Sequence, residues 1–221
     1  MYYEPGRTPS NLPYNPFKSC VVPRPIGWIA TVSADGRHNL APFSQFQNVA
    51  YDPPMVMVSG NNRPDGTLKD TIRNILDTGE FVWSMATYAQ REQVSASAQE
   101  FAPGVDEFEA VGIQSAPANL VKARRVADSP AHFECKVQQT VYLPGNTLES
   151  HTHLIIAEVI GIHIADDYID ASGRFDVLRA RPLARLGYLD YTSVDNAFEL
   201  LIPGFRPGQT VEYLKDSVRK P

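Results

Sequence analysis

The stretch LKDTIRNI (68–75) holds the residues best suited to bind an anion. Lys69 is read in the first turn of a helix over 67–78, where unpaired backbone N–H groups and the positive end of the helix dipole favour negative charge. Its ammonium and the Thr71 hydroxyl add the donors that a phosphate monoester needs. A capped surface helix with a solvated lysine accounts for the same residues, with Thr67 and Asp70 forming a capping box and Asp70 doing no more than cap.

A second stretch, RPIGWIATVSADGRHNLAPFSQF (24–46), mixes Pro42 and Ser44 with Phe43 and Phe46 where a plain core strand would carry Val or Ile. A flat heteroaromatic ring needs a slot with apolar walls and a few polar groups along one edge. Thr31, Ser33, Ser44, Gln45, Asn48 and Ser59 supply such groups on adjacent strand candidates, with Phe43 and Phe46 as wall material. A barrel with polar strand ends explains this set equally well. Neither GxGxxG nor GxxxxGK[ST] occurs, which disfavours Rossmann and P-loop nucleotide sites.

His151 and His153 share one face of a strand by the period of two, but His38, His132 and His163 have no spacing that completes a metal site with them. Nucleophilic catalysis has no local Ser-His-Asp or Cys-His signature. Cys20 and Cys135 are far apart and lack a CxxC partner, so both are expected as buried thiols.

The elements that must position these residues are mostly β. Residues 26–33 and 37–46 flank Asp35-Gly36 as a hairpin, and MVMVS (55–59) is a short strand buried on both faces. The helix over 67–78 shows Ile72, Ile75 and Leu76 on one face, with Gly79 placed to end it. FVWSMA (81–86) returns to strand, helices follow at 88–99 and 105–113, and 131–142 and 151–164 are long strands. Residues 1–22 form an irregular arm, and 196–221 a C-terminal extension. Six or more strands with long connections favour closure into a barrel, because exposed edges are costly.

The net charge of -5 and pI near 5.5 argue against nucleic acid or an anionic membrane as the main partner. No stretch approaches the roughly 20 apolar residues of a membrane span, and the cytoplasm is the expected location.

Taken in order, PRPIGWIATVSADGRHNLAPFSQF, DPP (52–54), LKDTIRNILDTGEFV, VDEFEAVGI, SPAHFECKV, HTHLIIAEVIGIHI and ARLGYLDY resemble the flavin reductase-like family, most closely its flavoredoxin-like branch. The resemblance runs from residue 23 to residue 191 and implies an FMN-binding split β-barrel over 23–195, mainly β with inserted helices, assembled as a homodimer. It places Thr31, Val32 and Ser33 on the strand beside the flavin and Pro42, Phe43, Ser44 and Gln45 along the ring edge. Asn48 and Ser59 match positions near the ring or ribityl chain, and Lys69, Asp70 and Thr71 match the phosphate site. His153, or else His151, matches a histidine near the flavin and is the candidate catalytic residue. The chain departs from the family at Ala157, where Gly is frequent, and at RLGY (185–188), where RLGG is common.

The function so implied is reduction of FMN by NAD(P)H, with electrons passed to free flavin or another acceptor. The redox chemistry is then the cofactor's, and the nicotinamide stacks on the open flavin face. The alternative is an FMN electron carrier reduced by a partner protein. Oxidation of pyridoxamine phosphate by the same fold ranks below both.

Overall fold

The computed structural model describes residues 1–200 and 203–204, so the expected extension over 196–221 lies mostly outside the described residues. The arm contains one helical turn, α1 (Phe17–Cys20), and leads into β1 (Arg24–Pro25). Then come β2 (Gly27–Val32) and β3 (His38–Phe43), a hairpin turned at Asp35-Gly36, where Gly36 adopts φ of 89°. The chain bends at Ser44 and Gln45 and continues as β4 (Phe46–Tyr51) and β5 (Pro54–Asn61). After α2 (Asp70–Thr78) and β6 (Glu80–Met85) come α3 (Arg91–Ala96) and α4 (Glu107–Val111). The short pair β7 (Ser115–Ala116) and β8 (Arg125–Val126) precedes the long strands β9 (Ala131–Leu143) and β10 (Thr152–Ile164). Finally α5 (Val177–Ala180) leads to β11 (Leu183–Gly187) and β12 (Asp190–Ser193).

Seven strands form one antiparallel sheet in the order β3-β2-β6-β9-β10-β5-β4, and β1-β11-β12 form a small second sheet. The end strands β3 and β4 follow one another in the chain but do not pair, so the curled sheet keeps an open seam between β3 and the β5-β4 edge. One bond crosses the junction, from the Ser59 N–H to the Gln45 carbonyl at 2.9 Å.

β2 is buried along its whole length because both its faces are covered. Ile29 points into the barrel with Phe46, Val58, Phe81 and Ile155, while Trp28 and Ala30 pack outward against Val94 and Phe108. Each fully buried large side chain contributes roughly 1.5–3 kcal/mol. Ile72 and Ile75 of α2 close one end of the barrel core.

Several sequence expectations are corrected. The strand expected over 37–46 stops at Phe43, and 46–51 is a separate edge strand folded back along β5 by the bend at Ser44-Gln45. The helix expected from residue 67 begins at Asp70, and the capping box does not form: the Thr67 hydroxyl donates instead to the Asp65 carboxylate at 2.7 Å. Leu76 is 40% exposed, and the buried places beside Ile72 and Ile75 go to Thr71 and Asn74, whose amide donates to the Thr31 hydroxyl at 3.0 Å. Gly79 does end the helix, with φ of 70° and its N–H on the Ile75 carbonyl. Cys135 is buried, which pushes its thiol far up, but Cys20 is exposed on the arm, where no core reaches it.

Candidate functional site

A groove of about 380 Å³ opens at the seam, a volume in the range of small-molecule and cofactor sites. Residues 41–45 form one side and Ser59, Gly60 and Asn61 the other, the two walls joined by the bond from the Ser59 N–H to the Gln45 carbonyl. Arg63 and residues 69–71 close one end, and residues 97–101 and Glu107 line the rest.

The end at α2 is built for negative charge. Lys69 occupies the N-cap position, with extended backbone (φ −62°, ψ 148°). It therefore stands just outside the first turn expected for it, still beside the unpaired N–H groups. Its ammonium has no hydrogen bond or ion pair among the described residues, whereas Arg63 pairs with Asp70 at 3.2 Å. Asp70 also accepts the Gly104 N–H at 3.3 Å, so this carboxylate braces the loop rather than capping its own helix. The buried Thr71 hydroxyl faces the Asn39 side-chain amide across 3.3 Å.

On the opposite wall the Glu107 side chain is buried and accepts the Leu40 N–H at 2.8 Å. Burial raises its carboxyl above the usual range; the Leu40 hydrogen bond works against that rise, and the nearby Asp106 and Asp70 charges add to it.

Of the residues singled out from the sequence, the groove brings together Pro42, Phe43, Ser44, Gln45, Ser59, Lys69, Asp70 and Thr71. Thr31, Val32, Ser33, Asn48 and His153 do not line it. Thr31 is fully buried behind α2, Val32 is buried at the end of β2, and Ser33 holds the hairpin turn through Asp35 and Arg37. Asn48 is exposed on β4, where it accepts from the Gln47 amide. Phe46 lies in the barrel core, stacked on Trp83 at 5.5 Å, and gives no wall to the groove. His153 and His151 both set their rings against Tyr142, and the Tyr142 hydroxyl lies 2.5 Å from His151 Nδ1. Burial, and then the neighbouring His151, lower the affinity of His153 for a proton. Among the described residues no three His, Cys, Asp or Glu side chains converge as a metal site.

Asn39, Asn61, Arg63 and Glu107 are groove residues that the sequence reading did not select. For two of them a signal existed in the polar turn NNRPDG (61–66) directly before the helix, the place where a loop approaching a helix N-terminus would carry its ligands.

The donors present fit a phosphate monoester at the α2 end: an ammonium without a counter-ion among the described residues, a guanidinium, a hydroxyl and helix N–H groups. The bent segment 42–45 offers backbone groups and the Phe43 ring to a flat ring system.

The fold and groove define a class first: an antiparallel split barrel with a groove lined by Lys69 and Arg63 at its open seam. The flavin reductase like domain model matches residues 19–179, and the chain belongs to that family. An uncharacterized protein of Aquifex aeolicus is 41% identical over 76% of this chain and 82% of its own length. Nitrilotriacetate monooxygenase component B from Bacillus cereus superposes with a TM-score of 0.82 at 26% identity, covering 90% of this chain and 98% of that one. Flavoredoxin of Desulfovibrio vulgaris shares the fold, with a TM-score of 0.68 at 20% identity over 85% of this chain and 94% of its own. The chain is thus a mainly β split barrel of the flavin-related oxidoreductases.

Proposed function

We propose that this protein binds FMN in the seam groove and uses NAD(P)H to reduce it, passing electrons to free flavin or another acceptor. The observation that carries the reading is Lys69, an ammonium without a counter-ion among the described residues, at the N-terminus of α2 and in one groove with the bent segment 42–45. Lys69, Thr71 and Arg63 hold the phosphate, with Asp70 orienting Arg63. Residues 42–45 and Ser59 receive the ring and ribityl chain. FMN when bound supplies the two-electron chemistry, and the protein's part is to orient the reactants and exclude water. Contacts from Thr31, Val32, Ser33, Asn48 and His153 rest on the family resemblance, since these side chains lie outside the groove of a single subunit.

The working form in this reading is a cytoplasmic homodimer. Exposed Val49 and Tyr51 on the edge strand β4, with Tyr142 and Leu143 at the end of β9, support self-association, and sedimentation velocity is expected to give a dimer. Likeness to a monooxygenase component supports a partner protein as one acceptor.

The test is the visible spectrum of the purified protein, repeated anaerobically with NADH and then NADPH. Bleaching of a flavin spectrum by either nucleotide is expected. A flavin that stays oxidised with both would replace the reductase reading with an electron carrier fed by a partner protein. Replacing Lys69 by Ala removes one charge-assisted contact, about 1.5–3 kcal/mol, so FMN affinity should fall roughly ten- to hundredfold. Unchanged affinity in fluorescence titration would remove Lys69 from the phosphate site.

A further inference from the structure

Three acidic residues line the seam groove, Asp70, Glu100 and Glu107, and of these only Glu107 is buried, at 8% exposure. Asp70 has its counter-ion in Arg63. Glu107 has none among the described residues: it accepts the Leu40 N–H at 2.8 Å, and no side chain donates to it. We propose that Glu107 is a ligand residue of the phosphate site, taking one proton from solvent as the phosphate enters and donating it as an O–H hydrogen bond to a phosphate oxygen. The inference rests on FMN occupying the groove.

Two links tie Glu107 to the α2 end. Leu40, which holds its carboxyl group, follows Asn39 on β3, and the Asn39 amide lies 3.3 Å from the Thr71 hydroxyl. Gly104, in the loop leading to α4, donates its N–H to the Asp70 carboxylate at 3.3 Å. Both links run to the first residues of α2, where Lys69 stands at the N-cap position.

The charges there need a proton. Lys18, Arg63 and Lys69 line the groove against Asp70, Glu100 and Glu107, and Asp106, next to Glu107, is paired with Arg124 at 3.7 Å. A phosphate monoester brings about two further negative charges. With Arg63 committed to Asp70, an ionised Glu107 would confront that dianion from a site poor in water, and like charges sharing a site do not both stay ionised. A protonated carboxyl replaces the repulsion with a donor. Burial already lifts the Glu107 carboxyl above the usual range, while the Leu40 N–H works against the rise and the Asp106 and Asp70 charges add to it. The phosphate charge pushes the same way.

The test counts protons. FMN would be titrated calorimetrically into flavin-free full-length protein at about pH 8, in buffers of different ionisation enthalpy. Phosphate, whose second pKa is near 6, is already a dianion there, so a proton taken up belongs to the protein. Wild type should take up about 0.3–1 proton per FMN, and its FMN affinity should fall by up to about tenfold per unit as the pH rises from about 7 to about 8.5. Riboflavin, which lacks the phosphate, should bring no uptake. Glu107→Gln, neutral throughout, should take up none, show a flat profile and bind FMN at pH 8 at least as tightly as wild type. Its melting temperature checks that it is folded, and the wild-type counts decide the matter without it. No uptake by the wild type, equal uptake with riboflavin, or undiminished uptake in folded Glu107→Gln would overturn the proposal and leave the FMN groove standing. Failure of the wild-type protein to bind FMN overturns both readings.

Discussion

Two buried glutamates, Glu107 and Glu134, come out differently. Glu134 on β9 accepts the N–H groups of Asn119, Leu120 and Val121 at 2.8, 2.6 and 3.1 Å, and lies 2.6 Å from His163 Nε2. Burial works to raise its carboxyl, but the Asn119 N–H, the His163 ring and the other two N–H groups outweigh that and hold it below the usual range. Glu107 on α4 has one N–H, from Leu40, and faces the groove with its carboxyl raised. A completed hydrogen-bond shell makes a carboxylate part of the scaffold, whereas an incomplete one leaves it available to a ligand.

Three experiments would break or sharpen the contrast. The largest effect is expected from Glu134→Ala, which leaves three backbone N–H groups without their acceptor. A loss of about 3–5 kcal/mol in urea unfolding is expected, and a loss below about 1 kcal/mol would show that water replaces the carboxylate easily.

Next comes acid. His132, beside His163, is buried and donates its Nε2–H to the Val126 carbonyl, 2.7 Å away; burial lowers it from 6.5 to about 4. The folded state therefore holds this ring neutral while the unfolded chain protonates it. Its contribution to stability is present above pH 6.5 and is lost as the pH falls toward about 4, with a slope of up to about 1.4 kcal/mol per pH unit. Urea midpoints across that window should show the slope in the wild type and a shallower one in His132→Gln.

The smallest effect belongs to Glu107→Gln. A carboxyl whose folded value is raised adds stability below its unfolded range and loses it as the pH rises through the folded value. At pH 8 the neutral amide, which still offers Leu40 an acceptor, should therefore unfold within about 1 kcal/mol of wild type and on the stabilised side. Clear destabilisation at pH 8 would make Glu107 a scaffold residue like Glu134.

The same contrast explains what could be read in the sequence. Residues whose neighbours are local were legible: Asp35-Gly36 turned the hairpin and Gly79 ended α2, whereas the family resemblance joined Lys69 and Thr71 to residues 42–45. β4 was not, because its residues after Phe46 are largely exposed and show no apolar alternation. Asn39 and Glu107 come to the groove from separate elements, and no local spacing announces such a meeting. Thr67 looked like a cap until Asp65, two residues away, offered a nearer acceptor. Leu76 kept the helical period, but the face it would have buried was taken by the polar contact of Asn74 with Thr31.

The two tryptophans of the chain carry a practical consequence. Trp28 donates to the Ser97 hydroxyl at 3.0 Å, and Ser97 lines the groove; Trp83 donates to the Ile26 carbonyl at 3.1 Å and stacks on Phe46. Both indoles are fixed emitters within the body that bears the seam. A yellow chromophore entering there would drain their ultraviolet emission by resonance transfer, so the unlabelled protein can report its own occupancy in a cuvette.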